Sequence, residues 1–507
     1  MPVFLKIFPL FLIAPMLLLG SLPVVALDQE SDSASAANSA EGRQITSGEL
    51  ESEIGFNVYA EQWTGDLDEM ETQRMIRVLT VYGLGRYFLD GGREKGLTYD
   101  LFKAFENFIN ERLGRRHLRL HVVFIPVARD ELLPSLIEGR GDIVAAGVAI
   151  TPELEAMVDF TIPLTKEISQ ILVTGPSAPQ IAAIDDLSGK TVYLRASSNY
   201  RFSLDQLNRR FREEGKPEIV LEEISEYLED VDLLEMVNSG LLEWAVVDDY
   251  KARIWTGVFD ELTLRNDIVF RSGLRLGAAV REGSPNLLAE LNEFMKTHKQ
   301  GTLHGNMLIN RYVKNFDWAK NSLDNNDFKR FQDVAGIFEK YGEQYGIDYL
   351  MVAAQAYQES GLDQNARSGA GAIGIMQLLP TTAADKNVGI PDISDAESNI
   401  HAGVKYLDFI RKRYFNDPGI DRFNQTLFAF AAYNAGPARI ANLRGKAEQQ
   451  GYDPNIWFDN VEIIAAREIG RETVQYVANI LKYYVGYRLS VEQQVKRGEE
   501  RKKQNLD

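Results

Sequence analysis

Two hydrophobic periods run along this chain, and the change between them divides it. MIRVLTVYG, from Met75, is a short apolar run of the kind a buried strand makes. LTYDLFKAFENFINERLG then places Leu101, Phe102, Phe105, Phe108 and Ile109 at helical spacing. LRLHVVFIPV reads as a strand, DELLPSLIEG as a short helix closed by Gly139, and DIVAAGVAI as a further strand. KTVYLRA, LEMVNSGLLEWAVVDD and GLRLGAAV continue the alternation, and helical texture follows from 286 to about 299. Strands alternating with helices predict an α/β region with a parallel sheet. From 331 to 490 the strand period is gone. DVAGIFEKYGEQYG, DYLMVAAQAYQES, SNIHAGVKYLDFIRKRYF, QTLFAFAAYNAG and ETVQYVANILKYYVGYRL all carry the helical spacing, which predicts an all-α region.

The segments between and outside these regions lack an apolar face. Residues 27–73, with SDSASAANSAEGRQ, read as a disordered linker, and residues 301–330, with NSLDNNDF, as a second linker. Residues 491–507 read as a frayed, charged tail. Residues 1–26 pair Lys6 with a long apolar run that ends in Val24-Val25-Ala26, the pattern of a secretory signal peptide or an N-terminal anchor. Either places the remainder outside the cytoplasm. The plan is therefore 1–26 export segment, 27–73 linker, 74–300 α/β domain, 301–330 linker, 331–490 helical domain and 491–507 tail.

Composition narrows the chemistry. A chain of 507 residues with net charge −18 is multidomain, and its acidity argues against nucleic acid as a partner. There is no cysteine, so disulfides, thiol catalysis, thiolate metal sites and a lipid on an N-terminal cysteine are excluded. The five histidines, at 117, 121, 298, 304 and 401, show no metal-ligand spacing on a common helix, and His117 and His121 read as surface residues. No metal and no cofactor are inferred.

One carboxylate stands out. Asp348 is a candidate N-cap for LMVAAQAYQ, and Gly361 suits the position just past the helix end. Glu359 then falls in the last turn, where the helix dipole disfavours an anion, so its carboxyl pKa is expected to rise. A raised pKa is what a general acid needs near neutral pH, although a solvated terminal glutamate would also fit. GAGAIG, 369–374, matches the glycine pattern of dinucleotide sites, but a helix precedes it and helices follow, so that reading is rejected. Its glycines are expected to let backbone approach a bulky ligand.

Four motifs recur in order: Glu359-Ser360, Gly374-Ile375-Met376-Gln377, Ala432-Tyr433-Asn434, and Glu472-Thr473 with Tyr476-Val477. In them the helical region resembles the catalytic domain of the family 1 lytic transglycosylases, itself similar to goose-type lysozyme. The resemblance implies peptidoglycan as substrate and Glu359 as the single acid and base. Glu359 would protonate the oxygen between N-acetylmuramic acid and N-acetylglucosamine. The substrate's acetamido group would steady the cation, and the C6 hydroxyl would close on C1 to leave a 1,6-anhydro end. Ser360, Gln377, Tyr433, Asn434 and Tyr476 carry over as groups that line or hold the glycan cleft, with Tyr476 near the Glu359 carboxyl. Asp363 is taken as structural. The family's usual Ile-Pro pair before the last motif is missing; Ile463-Ile464-Ala465-Ala466-Arg467 stands there. A lysozyme-like hydrolase, which would leave reducing ends, and a non-catalytic glycan- or solute-binding protein are the rival readings.

Gly96-Leu97-Thr98-Tyr99-Asp100-Leu101, Gly141-Asp142-Ile143, Ile150-Thr151-Pro152-Glu153 and Val158-Asp159-Phe160 resemble the amino-acid family of periplasmic solute-binding proteins. That implies two lobes around a ligand cleft. Leu154 occupies the place where such binders carry an arginine for the ligand carboxylate. Ser197, Ser198 and Asn199, and an acid at Asp248 or Asp249, are the candidate ligand groups. A cell-wall peptide or muropeptide is expected in place of a free amino acid. The whole is expected to be exported, periplasmic and peripheral on the outer membrane.

Overall fold

The computed structural model describes residues 62–315, 318 and 326–507, except 91, 92, 505 and 507. The expectations for residues 1–26, and for most of the linker 27–73, lie outside the described residues.

The first lobe is a five-stranded sheet in the order β4-β1-β5-β12-β6. Its strands are β1 (Met75–Thr80), β4 (His121–Pro126), β5 (Ile143–Ala149), β6 (Asp159–Phe160) and β12 (Leu276–Val280). β1 pairs parallel with β4 and β5, while β12 runs antiparallel to β5 and β6. β1 is buried at all six positions, as an apolar run covered on both faces should be. β2 (Phe88–Asp90) and β3 (Arg93–Lys95) form a separate antiparallel hairpin.

The second lobe spans β7 (Ile168–Thr174) to β11 (Thr263–Leu274). Here the expected parallel sheet is replaced by an antiparallel one, β10-β7-β11, with β10 at Trp244–Asp248. The reason is the double crossing. β7 carries the chain out of the first lobe and β11 carries it back, so the two must run in opposite directions. Only β8 (Thr191–Arg195) and β9 (Val220–Ile224) pair parallel in this lobe.

The helical region contains every predicted helix, and it packs around the Ala-rich segments Tyr349–Ser360 and Arg422–Ala435. Three expected irregular segments are ordered. Leu67–Gln73, at the end of the 27–73 linker, is a helix, with Trp63 stacked 3.7 Å from the Arg77 guanidinium. Leu303–Ile309, within the 301–330 linker, is also a helix. Residues 491–503 of the expected tail belong to one 33-residue helix, Arg471–Lys503. Its charges looked solvated in sequence, but they are paired. Arg497 and Arg501 reach the buried Asp232 of the second lobe at 2.8 and 2.7 Å, and Arg501 also reaches Glu235 at 2.8 Å.

The middle of the same helix lies on the first lobe. Lys482 sits 3.9 Å from Glu106, and a Cβ on Gly486 would lie 2.8 Å from the Glu94 carboxylate, so glycine is what permits the approach. His121, expected at the surface, packs into this cluster. Burial first, with Lys482 and Lys103 adding to it, pushes its pKa down to about 3 and keeps it neutral. Among the described residues no helix is long and apolar enough to cross a membrane.

Removing both arginines leaves the Asp232 carboxylate without its cations. Arg497→Ala with Arg501→Ala should speed amide hydrogen exchange across 491–503 by about tenfold or more, with residues 472–485 unchanged. Equal protection in both segments would show that these ion pairs do not dock the helix end.

Candidate active site

The helix Tyr349–Ser360 is fixed at both ends as its sequence predicts. The Asp348 side chain accepts from Leu350 N–H at 2.8 Å, and Gly361 at φ 66° ends the helix with its N–H on Tyr357 O at 2.8 Å. Residues 350–356 are all buried, so the half-buried last turn is the part of this helix that solvent reaches. Glu359 lies there. Burial pushes its carboxyl up to about 7, against the opposing effect of one hydrogen bond. That bond comes from Tyr476, whose hydroxyl donates to Glu359 Oε1 at 2.5 Å.

Nothing cationic acts on the Glu359 carboxyl among the described groups. A carboxyl that is desolvated and unpaired holds its proton to neutral pH. Asp363, the nearest acid in sequence, is exposed and accepts Asn365 N–H at 2.8 Å in a local turn. The arrangement therefore supplies one proton from one carboxyl. It offers no second carboxylate among these groups of the kind paired-acid glycosidases use.

A loop, 361–378, follows this helix, and most of the residues predicted to line a cleft grip its backbone. Ser360 Oγ donates to Ile375 O at 2.8 Å. Tyr433, half-buried, donates its hydroxyl to Met376 O at 2.7 Å. Gln377, at φ 44°, turns its amide back to Gly374 O at 2.9 Å. Asn434 is exposed and joins two helices by accepting from Thr473 Oγ1 at 2.7 Å. Tyr476 is thus bonded to Glu359, Ser360 and Tyr433 hold adjacent carbonyls of the loop, and Asn434 ties two helices together.

Sequence reasoning passed over two buried side chains here. Asn399 accepts from Met376 N–H at 2.8 Å and donates to Ile373 O at 3.0 Å, which pins the centre of the loop. Gly374, at φ 79°, exists for this contact: a Cβ there would fall 2.4 Å from Asn399 Nδ2. At this glycine the close neighbour is a side chain of the protein. Gln355 is the other, a fully buried amide that donates to Tyr476 at 3.0 Å. The available signal was a polar residue inside an otherwise apolar stretch, four positions before Glu359.

In the α/β domain a cavity of about 260 Å³ lies between the lobes. Ser197, Ser198, Asn199 and Asp248 line it, together with Leu154 and Lys251. Asp249 does not; its carboxylate pairs with Arg253 at 2.7 Å. Ser197 gives both its N–H and its hydroxyl to Glu226, at 2.9 and 2.5 Å, so a carboxylate of the protein already uses those donors. Asp248 is buried, with one oxygen on Lys251 at 2.9 Å and the other, Oδ1, without a hydrogen-bond partner. Arg129 of the first lobe spans to Glu229 of the second at 2.7 Å. A second cavity, about 410 Å³, shares Arg129, Gly147 and Lys251 with the first.

Comparison with known proteins places both regions. Residues 336–456 match the family described as "Transglycosylase SLT domain", and residues 85–313 match "Bacterial extracellular solute-binding proteins, family 3". A protein of Desulfosudis oleivorans named membrane-bound lytic murein transglycosylase F is 30% identical over 428 residues, 81% of this chain and 89% of that one. One of Pseudomonas fluorescens with the same name is 28% identical over 444 residues, 82% of this chain and 85% of the relative. A solved structure described as the substrate binding protein of an amino acid ABC transporter is 22% identical. It covers 48% of this chain and 100% of its own, with a TM-score of 0.39.

The loop geometry is testable apart from chemistry. Gly374→Ala meets both the positive φ and Asn399, and should cost about 1–3 kcal/mol of stability in denaturant titration. A cost near zero would mean that the loop tolerates a shifted Asn399.

Proposed function

This chain belongs to the family of membrane-bound lytic murein transglycosylase F, and from that premise we propose that Glu359 is the acid and the base of its reaction. The chain is a peptidoglycan lytic transglycosylase that also carries a solute-binding-protein-like domain. The observation that supports Glu359 is its burial without a cationic partner, which raises its carboxyl to about 7. In the free enzyme the proton is present at and below neutral pH. It passes to the oxygen between N-acetylmuramic acid and N-acetylglucosamine, and the leaving sugar departs as an alcohol. The substrate acetamido group steadies the developing cation. Glu359, now a carboxylate, takes the proton of the muramic C6 hydroxyl as that oxygen bonds to C1, and a 1,6-anhydro end is left. The carboxyl is regenerated and water is not consumed.

Tyr476 serves both halves of this cycle. Its hydroxyl steadies the carboxylate that forms after proton donation, and it favours that form less than burial disfavours it. Ser360, Gln377, Tyr433 and Asn434 shape the cleft by holding the 361–378 loop and the helices behind it.

We propose further that the interlobe cleft takes cell-wall peptides or muropeptides and that its occupancy regulates or localises cleavage. Leu154 supplies no arginine at the place where amino-acid binders carry one, while Asp248 keeps one oxygen free, which favours an amine-bearing ligand held differently from a free amino acid. The apolar segment 1–26 supports export and a periplasmic position peripheral on the outer membrane.

Glu359→Gln should retain the fold and glycan binding and lose about 10²–10⁴ in kcat, measured with purified peptidoglycan and mass spectrometry of the products. Full turnover in that variant would remove Glu359 from the role, and reducing ends in place of anhydro ends would favour hydrolysis. The sign of the pH dependence follows from the acid form being the active one: kcat/KM should fall as pH rises through about 7. A level profile from pH 5 to 9 would contradict it. Calorimetry should show muropeptides binding the full chain more tightly than free amino acids; the reverse order would reject the proposed ligand class.

A further inference from the structure

An acid that must deliver its proton to a substrate needs that proton on the oxygen facing the cleft. The helix that carries Glu359 also carries the group that settles this. Gln355 is fully buried one turn earlier, and the six other buried residues of the helix are apolar. Its Nε2 donates to the Tyr476 hydroxyl at 3.0 Å, and Tyr476 donates to Glu359 Oε1 at 2.5 Å. Gln355 Oε1 has no hydrogen-bond partner, so Tyr476 is the one group its amide serves among the described residues. Burying an amide with its oxygen unpaired is costly, and an apolar side chain would fill the same volume without that penalty.

A phenol hydroxyl has a single proton and accepts as well as donates; an amide nitrogen only donates. With the N–H of Gln355 on its oxygen, Tyr476 is the acceptor on that side and its proton is committed to Glu359 Oε1. The acid proton of Glu359 is then favoured on Oε2, the oxygen that does not accept from Tyr476. The reverse chain, Glu359 to Tyr476 to Gln355 Oε1, would hold the acid proton inside the protein. It would also leave the carboxylate formed after donation facing a tyrosine lone pair.

We propose that Gln355 is a positioning residue that sets the direction of the hydrogen-bond chain through Tyr476 and so keeps the reactive proton of Glu359 on Oε2. This rests on the reading of Glu359 as the acid. The titratable groups that face Glu359 are Tyr476 from the C-terminal helix and Tyr433 from Arg422–Ala435. Burial first, and then the nearby carboxylate, raises both phenols well above their ordinary range, so neither titrates where Glu359 does.

The test is a cycle of Gln355→Met and Tyr476→Phe in the full chain, read as pH profiles on purified peptidoglycan. Gln355→Met keeps the volume and removes the donor. Its kcat should fall about fivefold with KM unchanged. The descending limb of kcat/KM should move to higher pH by about 0.5, because the carboxylate loses a polarised donor. In the Tyr476→Phe background the same change should have no further effect on the limb, since Gln355 acts through that hydroxyl. An unmoved limb, or an equal shift in both backgrounds, overturns the proposal, whatever happens to the melting temperature. Glu359→Gln, run alongside, separates the two ideas. If it is inactive and Gln355→Met is silent, only the role of Gln355 fails. If it is active, the reading of Glu359 fails first.

Discussion

The contact on which the site depends joins groups 117 residues apart: the Tyr476 hydroxyl on Glu359. Among the described residues it is the one hydrogen bond that acts on a carboxyl otherwise defined by burial. Tyr476 is itself 6% exposed and sits in the first turns of the helix Arg471–Lys503. The position of that helix therefore decides whether Glu359 has a partner at all. At 33 residues it is about 50 Å long, long enough to leave the catalytic region and cross the α/β domain. Along it lie Tyr476, then Lys482 and Gly486 against the first lobe, then Arg497 and Arg501 against the second.

A helix pinned at three places limits what the lobes can do. They already touch through Arg129 and Glu229. Opening the cleft moves Asp232 and Glu235 relative to Glu94 and Glu106, and one straight rod cannot follow both. Either the arginines release the second lobe, or the rod tilts and carries Tyr476 with it. Under the regulatory proposal, ligand binding acts by favouring one of these two arrangements, and its reach is bounded by its differential affinity for them.

Much of this was legible in the sequence, and the failures share a cause. The helix Tyr349–Ser360 could be read because its cap, its apolar spacing and its terminal glycine are local signals. The two-lobed domain could be read because short apolar strands and amphipathic helices differ in period. The tail after 491 could not. Arg497 and Arg501 look solvated until Asp232, more than 260 residues earlier, is brought beside them. His121 was misjudged for the same reason, since Lys482 is its neighbour only in the fold, and the contact of Gly374 with Asn399 likewise appears only there. Ser360, Gln377 and Tyr433 were expected to line the cleft; hydrogen bonds to loop carbonyls occupy their polar groups, and motif spacing carries no information about that.

The placement of the carboxylate itself resolves the opposition between helix and charge. A surface helix ends on cations because its last carbonyls are electronegative. Glu359 stands at such an end, and burial then adds to its cost as an anion. Both effects favour the neutral acid, and only the phenol of Tyr476 works the other way. The balance matters, because a carboxyl with no donor would not release its proton and one with a cation beside it would not keep it. A neutral hydroxyl is the weaker of the two corrections. Under the role proposed for Glu359, it stabilises the carboxylate for the return step without discharging the acid beforehand, and it does so without adding a charge beside it.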